Sequence, residues 1–378
     1  MITVYFPNWN IHTDSRNQVC CLPWDRLDGI NHAFWKVAPI NGGFALVSTD
    51  HQADTDPEDP RAHFAQYAEC ARRYPGRSIL LSVGGWTDCG YFSEMARTEE
   101  NRASFIRSCL EVLEAYPFFT GLDIDWEYPG IARPAGAGNE GNPVAGDDWI
   151  NYPLFLKELR EALDGRFGPG RRTLTVCAGG LVSALSRQDY AALHPFVDRI
   201  NLMTYDLTGP WEDRTGHHTP LYGEQSADTA VQYLMAQGVP AAKIAIGSPL
   251  YGHSWKLQEI VPNPVGCAAR SLSDGDLRWH DLIRLERAAV PEGVPGWHAG
   301  YDREAEAAWL WNDDPSSSGY LTFHTYENAA SLEAKLAYIA GHGLGGLIVW
   351  EAHGDSPEEG WPMITRTHDG IKKARSSV

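Results

Sequence analysis

Residues 119–130 read FTGLDIDWEYPG. Side chains alternate faces along a β-strand, so Asp123, Asp125 and Glu127 project the same way. Three like charges on a buried face are unfavourable, and each must be hydrogen-bonded or share protons with its neighbours. A protein keeps such a row chiefly where an acid of raised pKa is needed. The competing reading is a solvated charge run at a strand end. Ile124 is apolar, Trp126 and Tyr128 flank Glu127, and aromatic and apolar residues precede the run, which predicts a central strand.

Outward from this stretch, short apolar segments recur at 3–6, 29–34, 78–83, 121–126, 174–178, 199–205, 243–248 and 346–350. Helical periodicity falls between them, as at 62–73, 101–115, 152–163, 227–237 and 329–340. Eight buried strands alternating with helices predict a (β/α)8 TIM barrel. An open doubly wound sheet would want an early glycine-rich phosphate turn, which the sequence lacks. Residues 248–346 are far more than one βα crossover needs. They hold a Gly- and Asp-containing stretch at 271–276 and a further strand at 320–326. The expected organisation is a catalytic barrel of residues 1–252 and 324–378 with an inserted α+β subdomain, 253–323, forming a cleft wall. The loop 132–148 walls the cleft elsewhere.

The chain has 378 residues and a formal net charge of -18, with no basic stripe, which argues against a nucleic-acid partner. Its 14 Trp, 16 Tyr and 12 Phe suit stacking on the apolar faces of a neutral polysaccharide. Seven cysteines follow no disulfide or zinc spacing. No apolar stretch has transmembrane length, so no membrane association is expected, and a monomer is. A strand already begins at residue 3 with no secretory signal before it, so the protein is read as cytoplasmic, or as secreted with its leader removed. His12, His32, His217, His218 and His253 form no HExxH-like array, so no metal and no cofactor is expected.

In a barrel the catalytic candidates lie at the C-terminal ends of strands. Those ends carry Tyr5, Phe34, Ser82, Glu127, the Met203-Thr204-Tyr205-Asp206 group, Tyr251 and Trp350. Glu127 is placed as proton donor, Asp125 as its modulator and Asp123 as buried support. A glycosidase usually needs a second carboxylate, about 5–5.5 Å away if retaining or about 6.5–9.5 Å if inverting, and Asp206 is the candidate. A 2-acetamido sugar offers another route, in which its own carbonyl oxygen attacks the anomeric carbon. Asp125 would then accept from the amide N–H and Tyr205 donate to the carbonyl. The residues alone leave both routes open.

SVGGW (82–86), the acidic run, MTYD (203–206), GSPLYG (247–252) and GLGGLIVWEAHGD (343–355) resemble the successive strand signatures of family 18 glycoside hydrolases, from residue 3 to about 361. The resemblance implies a chitinase that cleaves β-1,4-linked N-acetylglucosamine with retention through an oxazolinium intermediate. Tyr5 and Ser82 would steady Asp123, Tyr205 would hold the acetamide, and Asp206 would bind the distorted sugar above a floor of Trp350. Trp86, Tyr128 and Trp211 would be platforms for neighbouring sugars, with Phe34, Met203 and His253 completing the binding set. Two positions depart from the family pattern: Thr120 replaces an Asp, and His253 stands where Arg is usual. Other members implied by the resemblance act on glycan cores or muropeptides, and some are non-catalytic lectins that generally lack the acid.

Overall fold

The computed structural model describes residues 1–12, 18–272, 277–289 and 296–376. The strands in chain order are β1 (Ile2–Pro7), β2 (Gly29–Ile40), β3 (Gly43–Ser48), β4 (Ser78–Gly84), β5 (Gly121–Asp125), β6 (Thr173–Gly179), β7 (Arg199–Met203) and β8 (Ile244–Pro249). There follow β9 (Tyr251–Leu257), β10 (Ala269–Ser271), β11 (Leu277–Arg278), β12 (Trp297–Asp302), β13 (Ala307–Asn312), β14 (Thr322–Tyr326) and β15 (Gly346–Trp350). Parallel pairing runs β1–β2–β4–β5–β6–β7–β8–β15 and returns from β15 to β1, closing an eight-stranded barrel. Closure buries both faces of each strand, so β1 (ITVYFP) and β5 (GLDID) are buried at every residue, and neither reads as an alternating amphipathic strand.

Helices cover the outside. Glu99–Ala115 begins at Thr98, whose side chain accepts from Asn101 N, and Ala329–His342 begins with a capping box between Asn328 and Ser331. Gly343, at φ 64°, ends the latter in the left-handed conformation that glycine adopts without strain. The main apolar core lies between this shell and the barrel, and a smaller cluster of Tyr5, Phe34, Cys177, Met203, Tyr205 and Ile348 fills the barrel mouth.

The second sheet is antiparallel in the order β10-β9-β14-β13-β12, with β11 also on β9 and the helix Trp279–Ala289 beside it. It has its own core of Trp255, Leu257, Ala269, Trp311 and Phe323. The expected segment 271–276 lies largely outside the described residues. Two expectations need correcting. The second barrel strand continues past 34 to Ile40 and folds back as a hairpin with β3 across Asn41 and Gly42, because Val37, Phe44 and Leu46 bury in the main core and the Phe44 and Leu46 N–H groups donate to Ser104 and Ser108 of the helix Glu99–Ala115. The strand expected at 199–205 ends at Met203, and the chain reaches Asp206 at φ 56°. Among the described residues no helix is long and apolar enough to cross a membrane.

Candidate active site

The ladder aligns the acidic row with polar residues on both neighbouring strands: Asp123 lies opposite Ser82 of β4 and Thr175 of β6. Asp123 is fully buried. Its Oδ2 accepts from Tyr5 (2.9 Å) and Ser82 (2.7 Å), and its Oδ1 accepts from Thr175 (2.5 Å) and Asn201 (3.0 Å). Four donors satisfy both oxygens of this carboxyl in the barrel centre. Asp123 and Ser82 lie beneath the cleft and do not line it. Thr175 and Asn201 were missed by sequence reasoning. Their signal is a buried polar residue in the middle of a short strand that faces the acidic row.

One step nearer the mouth, Asp125 is 3 % exposed, and its Oδ1 has no hydrogen-bond partner among the described residues. Burial, then the charges of Glu127 and Asp123, push its carboxyl well above the usual range. Cys177, also unforeseen, stands 2.9 Å from the Tyr5 hydroxyl and 3.6 Å from Asp123 Oδ2.

Glu127 follows at the cleft surface. Burial pushes its carboxyl up to about 7, with Asp206 adding to the rise while a hydrogen bond from Tyr128 and the charge of Arg133 oppose it. Its backbone N–H donates to Cys89 Sγ (3.2 Å), and that thiol donates to Gly85 O (3.2 Å), so a buried cysteine fixes the chain carrying the acid. Burial also keeps the Tyr205 phenol protonated, hence a donor.

Asp206 stands on the rim with its side chain 45 % exposed. Its Oδ1 accepts from Tyr251 (2.5 Å) and His253 Nε2 (2.7 Å), and His218 Nδ1 lies 3.8 Å away, beyond hydrogen-bond range. Burial alone would raise this carboxyl, but His218 and His253 hold it well below the usual carboxylate range. Burial in turn lowers His218 to about 4.

These groups open into a cleft of about 880 Å³. It is lined by Tyr5, Phe34, Asp125, Glu127, Tyr128, Met203, Tyr205, Asp206, His253 and the indoles of Trp9, Trp86, Trp211 and Trp350. Trp350 stacks on Phe34 (centroids 5.6 Å, 19°) and tilts against Tyr5 (5.6 Å), which holds one face flat under the cleft. Trp86 and Trp211 are 52 % and 63 % exposed. The Arg133 guanidinium covers the Trp86 ring at 4.0 Å, and Trp211 meets His253 edge-on at 5.4 Å. Trp9, 44 % exposed beside Phe34 and Trp350, was not foreseen because it follows its strand in a 3-10 turn. Thr120 faces the other way, its Oγ1 taking Ile79 N at 3.0 Å. His217 pairs with Asp302 (3.1 Å) and His12 with Asp50 (2.6 Å), and neither lines the cleft.

Comparison with known proteins gives the same picture. The chain is 32 % identical over 363 residues to Chitinase A of Pseudoalteromonas piscicida, covering 84 % of this chain and 42 % of the relative. It is 32 % identical over 311 residues to Chitinase A1 of Niallia circulans, covering 74 % and 41 %. The chain therefore spans about two fifths of the length of these relatives. Among solved structures, a glycoside hydrolase family 18 N-acetylglucosaminidase from Paenibacillus barengoltzii superposes with a TM-score of 0.78 at 28 % identity, over 98 % of this chain and 99 % of that one. The model of glycosyl hydrolases family 18 matches residues 1–355, from β1 past the last barrel strand, and the chain belongs to that family.

Proposed function

We propose that this protein hydrolyses β-1,4 linkages between N-acetylglucosamine units of chitin or its oligosaccharides, with retention at the anomeric carbon. The observation that carries this reading is the gradient along one strand face. Asp123 is saturated with donors, Asp125 has an orphaned oxygen, and Glu127 titrates near 7 at the cleft surface. The Glu127 carboxyl gives its proton to the glycosidic oxygen as the C1–O bond breaks. The substrate's acetamide oxygen bonds to C1, forming an oxazolinium ion. Water then attacks C1, breaking its bond to the acetamide oxygen and restoring the acetamide, and passes its proton to the Glu127 carboxylate. Asp125 Oδ1, without a partner among the described residues, accepts from the acetamide N–H, and the Tyr205 hydroxyl donates to the acetamide oxygen.

A two-carboxylate route through Asp206 is less well supported. Its Oδ1 already accepts two hydrogen bonds and its carboxyl is held low, which makes a weak base and a poor nucleophile. Asp206 is better suited to binding a sugar hydroxyl, over the floor of Trp350. His253 of β9 lines the cleft, which supports reading residues 253–323 as a wall of the binding site. The names of the two chitinase relatives support the substrate. The Paenibacillus relative, matched along nearly its whole length, favours a second reading in which single N-acetylglucosamine units leave from chain ends.

The test is digestion of N-acetylglucosamine hexamer by wild type and Glu127→Gln, with products resolved by size and anomer. Early dimer in the β-anomer, absent with the variant, is expected. Monomer as first product selects the second reading, an inverted anomer overturns the mechanism, and binding without cleavage at every pH leaves a lectin.

A further inference from the structure

We propose that Asp206, His218 and His253 form a binding site for a zinc-class divalent transition ion on the rim of the substrate cleft, and that the ion inhibits the enzyme by taking the carboxylate that holds the sugar. The three residues come from different segments, and one ligand atom of each lies within 4.8 Å of the others. Asp206 Oδ1 is 2.7 Å from His253 Nε2 and 3.8 Å from His218 Nδ1. Two ligands bound at about 2.0–2.1 Å to one tetrahedral ion stand roughly 3.3 Å apart, so shifts well under an ångström would complete the site.

His218 is an independent indication. Its side chain is fully buried, neither ring nitrogen has a hydrogen-bond partner among the described residues, and Nδ1 faces the Asp206 carboxylate. A buried imidazole without partners is unfavourable unless something accepts or binds it. The donor set of two imidazoles and one carboxylate suits zinc, nickel or copper over calcium or magnesium, which prefer oxygen. Asp206 and His253 line the cleft, so a fourth position would open to water or a sugar hydroxyl. The Tyr251 hydroxyl, now on the same oxygen at 2.5 Å, yields its place to the ion. A second cluster, His32, Asp54 and His63, is less suited: Asp54 already accepts from Trp35, Ser48 and Asn8, and all three residues are sealed in the core.

The inhibitory half rests on the proposed role of Asp206 in binding sugar; the binding half does not. Zinc titration by calorimetry should show one site in wild type and at least about a 10–100-fold weaker one in His218→Asn, whose side chain does not line the cleft; inhibition of each protein is read against its own metal-free rate. Zinc should inhibit wild type competitively with the oligosaccharide and spare the variant. Equal zinc affinity in both proteins overturns the site. Binding without inhibition overturns the inhibitory half and with it the sugar-binding role of Asp206, while hydrolysis itself stands. Should His218→Asn fail to fold, the electron paramagnetic resonance of copper on wild type decides: hyperfine coupling to two imidazole nitrogens is expected, and its absence overturns the proposal.

Discussion

Glu127 sits at the junction of two opposing demands: burial keeps its carboxyl protonated, and the proposed mechanism takes that proton away. With its carboxyl raised to about 7, the acid form dominates below neutrality. Activity should fall as pH rises through about 7, and kcat of Glu127→Gln should drop by about 10²–10⁴-fold, the usual worth of a positioned general acid. The same shift has a stability sign. A carboxyl whose folded value exceeds its unfolded one stabilises the fold below the unfolded pKa, and that contribution is lost as pH rises through the folded pKa. Glu127→Gln should therefore melt a few degrees above wild type at pH 8 and close to it at pH 4, measured by calorimetry. At this scale the sequence was informative for Asp123, Asp125 and Glu127, because strand parity alone puts them on one face. It was silent on Thr175, Asn201, Cys177 and Cys89, whose roles depend on which strands become neighbours.

The strand carrying those acids is held by close backbone approach. A Cβ built on Gly121 would come 1.9 Å from the carbonyl oxygen of Thr173 on β6, a neighbour that is main chain and cannot rotate aside. Gly121→Ala should destabilise the protein by about 1–3 kcal/mol or more, read as a lower urea midpoint, and should cost activity by tilting β5 in its ladder. At the end of the barrel, Asp355 receives Ser356 N (2.9 Å), Met363 N (3.3 Å) and Ile364 N (3.0 Å) and so caps the final helix, Pro362–Ser376. Asp355→Ala should lower stability by about 1–2 kcal/mol in the same urea titration, with the hydrolytic site untouched. Barrel strands were legible as short apolar runs spaced by amphipathic helices. The extension of β2 into a hairpin was not, since its continuation depends on the helix Glu99–Ala115 that the hairpin packs against, far along the chain, and not on its own periodicity.

At the scale of the molecule, barrel and second sheet share one apolar core, and a buried ion pair just after β14 ties them further. Lys335 Nζ reaches Glu327 Oε2 and Thr219 Oγ1, each at 2.5 Å, and Ser248 of β8 donates to the same glutamate oxygen at 3.0 Å. Both charged side chains are fully buried. Removing one member leaves an uncompensated charge, so Lys335→Met should cost about 3–5 kcal/mol, whereas Lys335→Met with Glu327→Leu should recover much of it. A single calorimetric transition is expected for wild type, because this pair and the β8–β9 connection make separate melting of the two sheets unfavourable.

By itself the sequence determined the period of the fold and the identity of the acid row. Both are local, since alternation within twelve residues and apolar runs between helices follow from backbone geometry alone. Tertiary structure decided the rest: which polar side chains saturate Asp123, which oxygen of Asp125 stays orphaned, and how four indoles line one cleft. The meeting of residues 206, 218 and 253 belongs to the same class, because no spacing along the chain encodes it. Barrel closure and the placing of β9 beside it set those distances, and closure depends on register and packing summed over all eight strands.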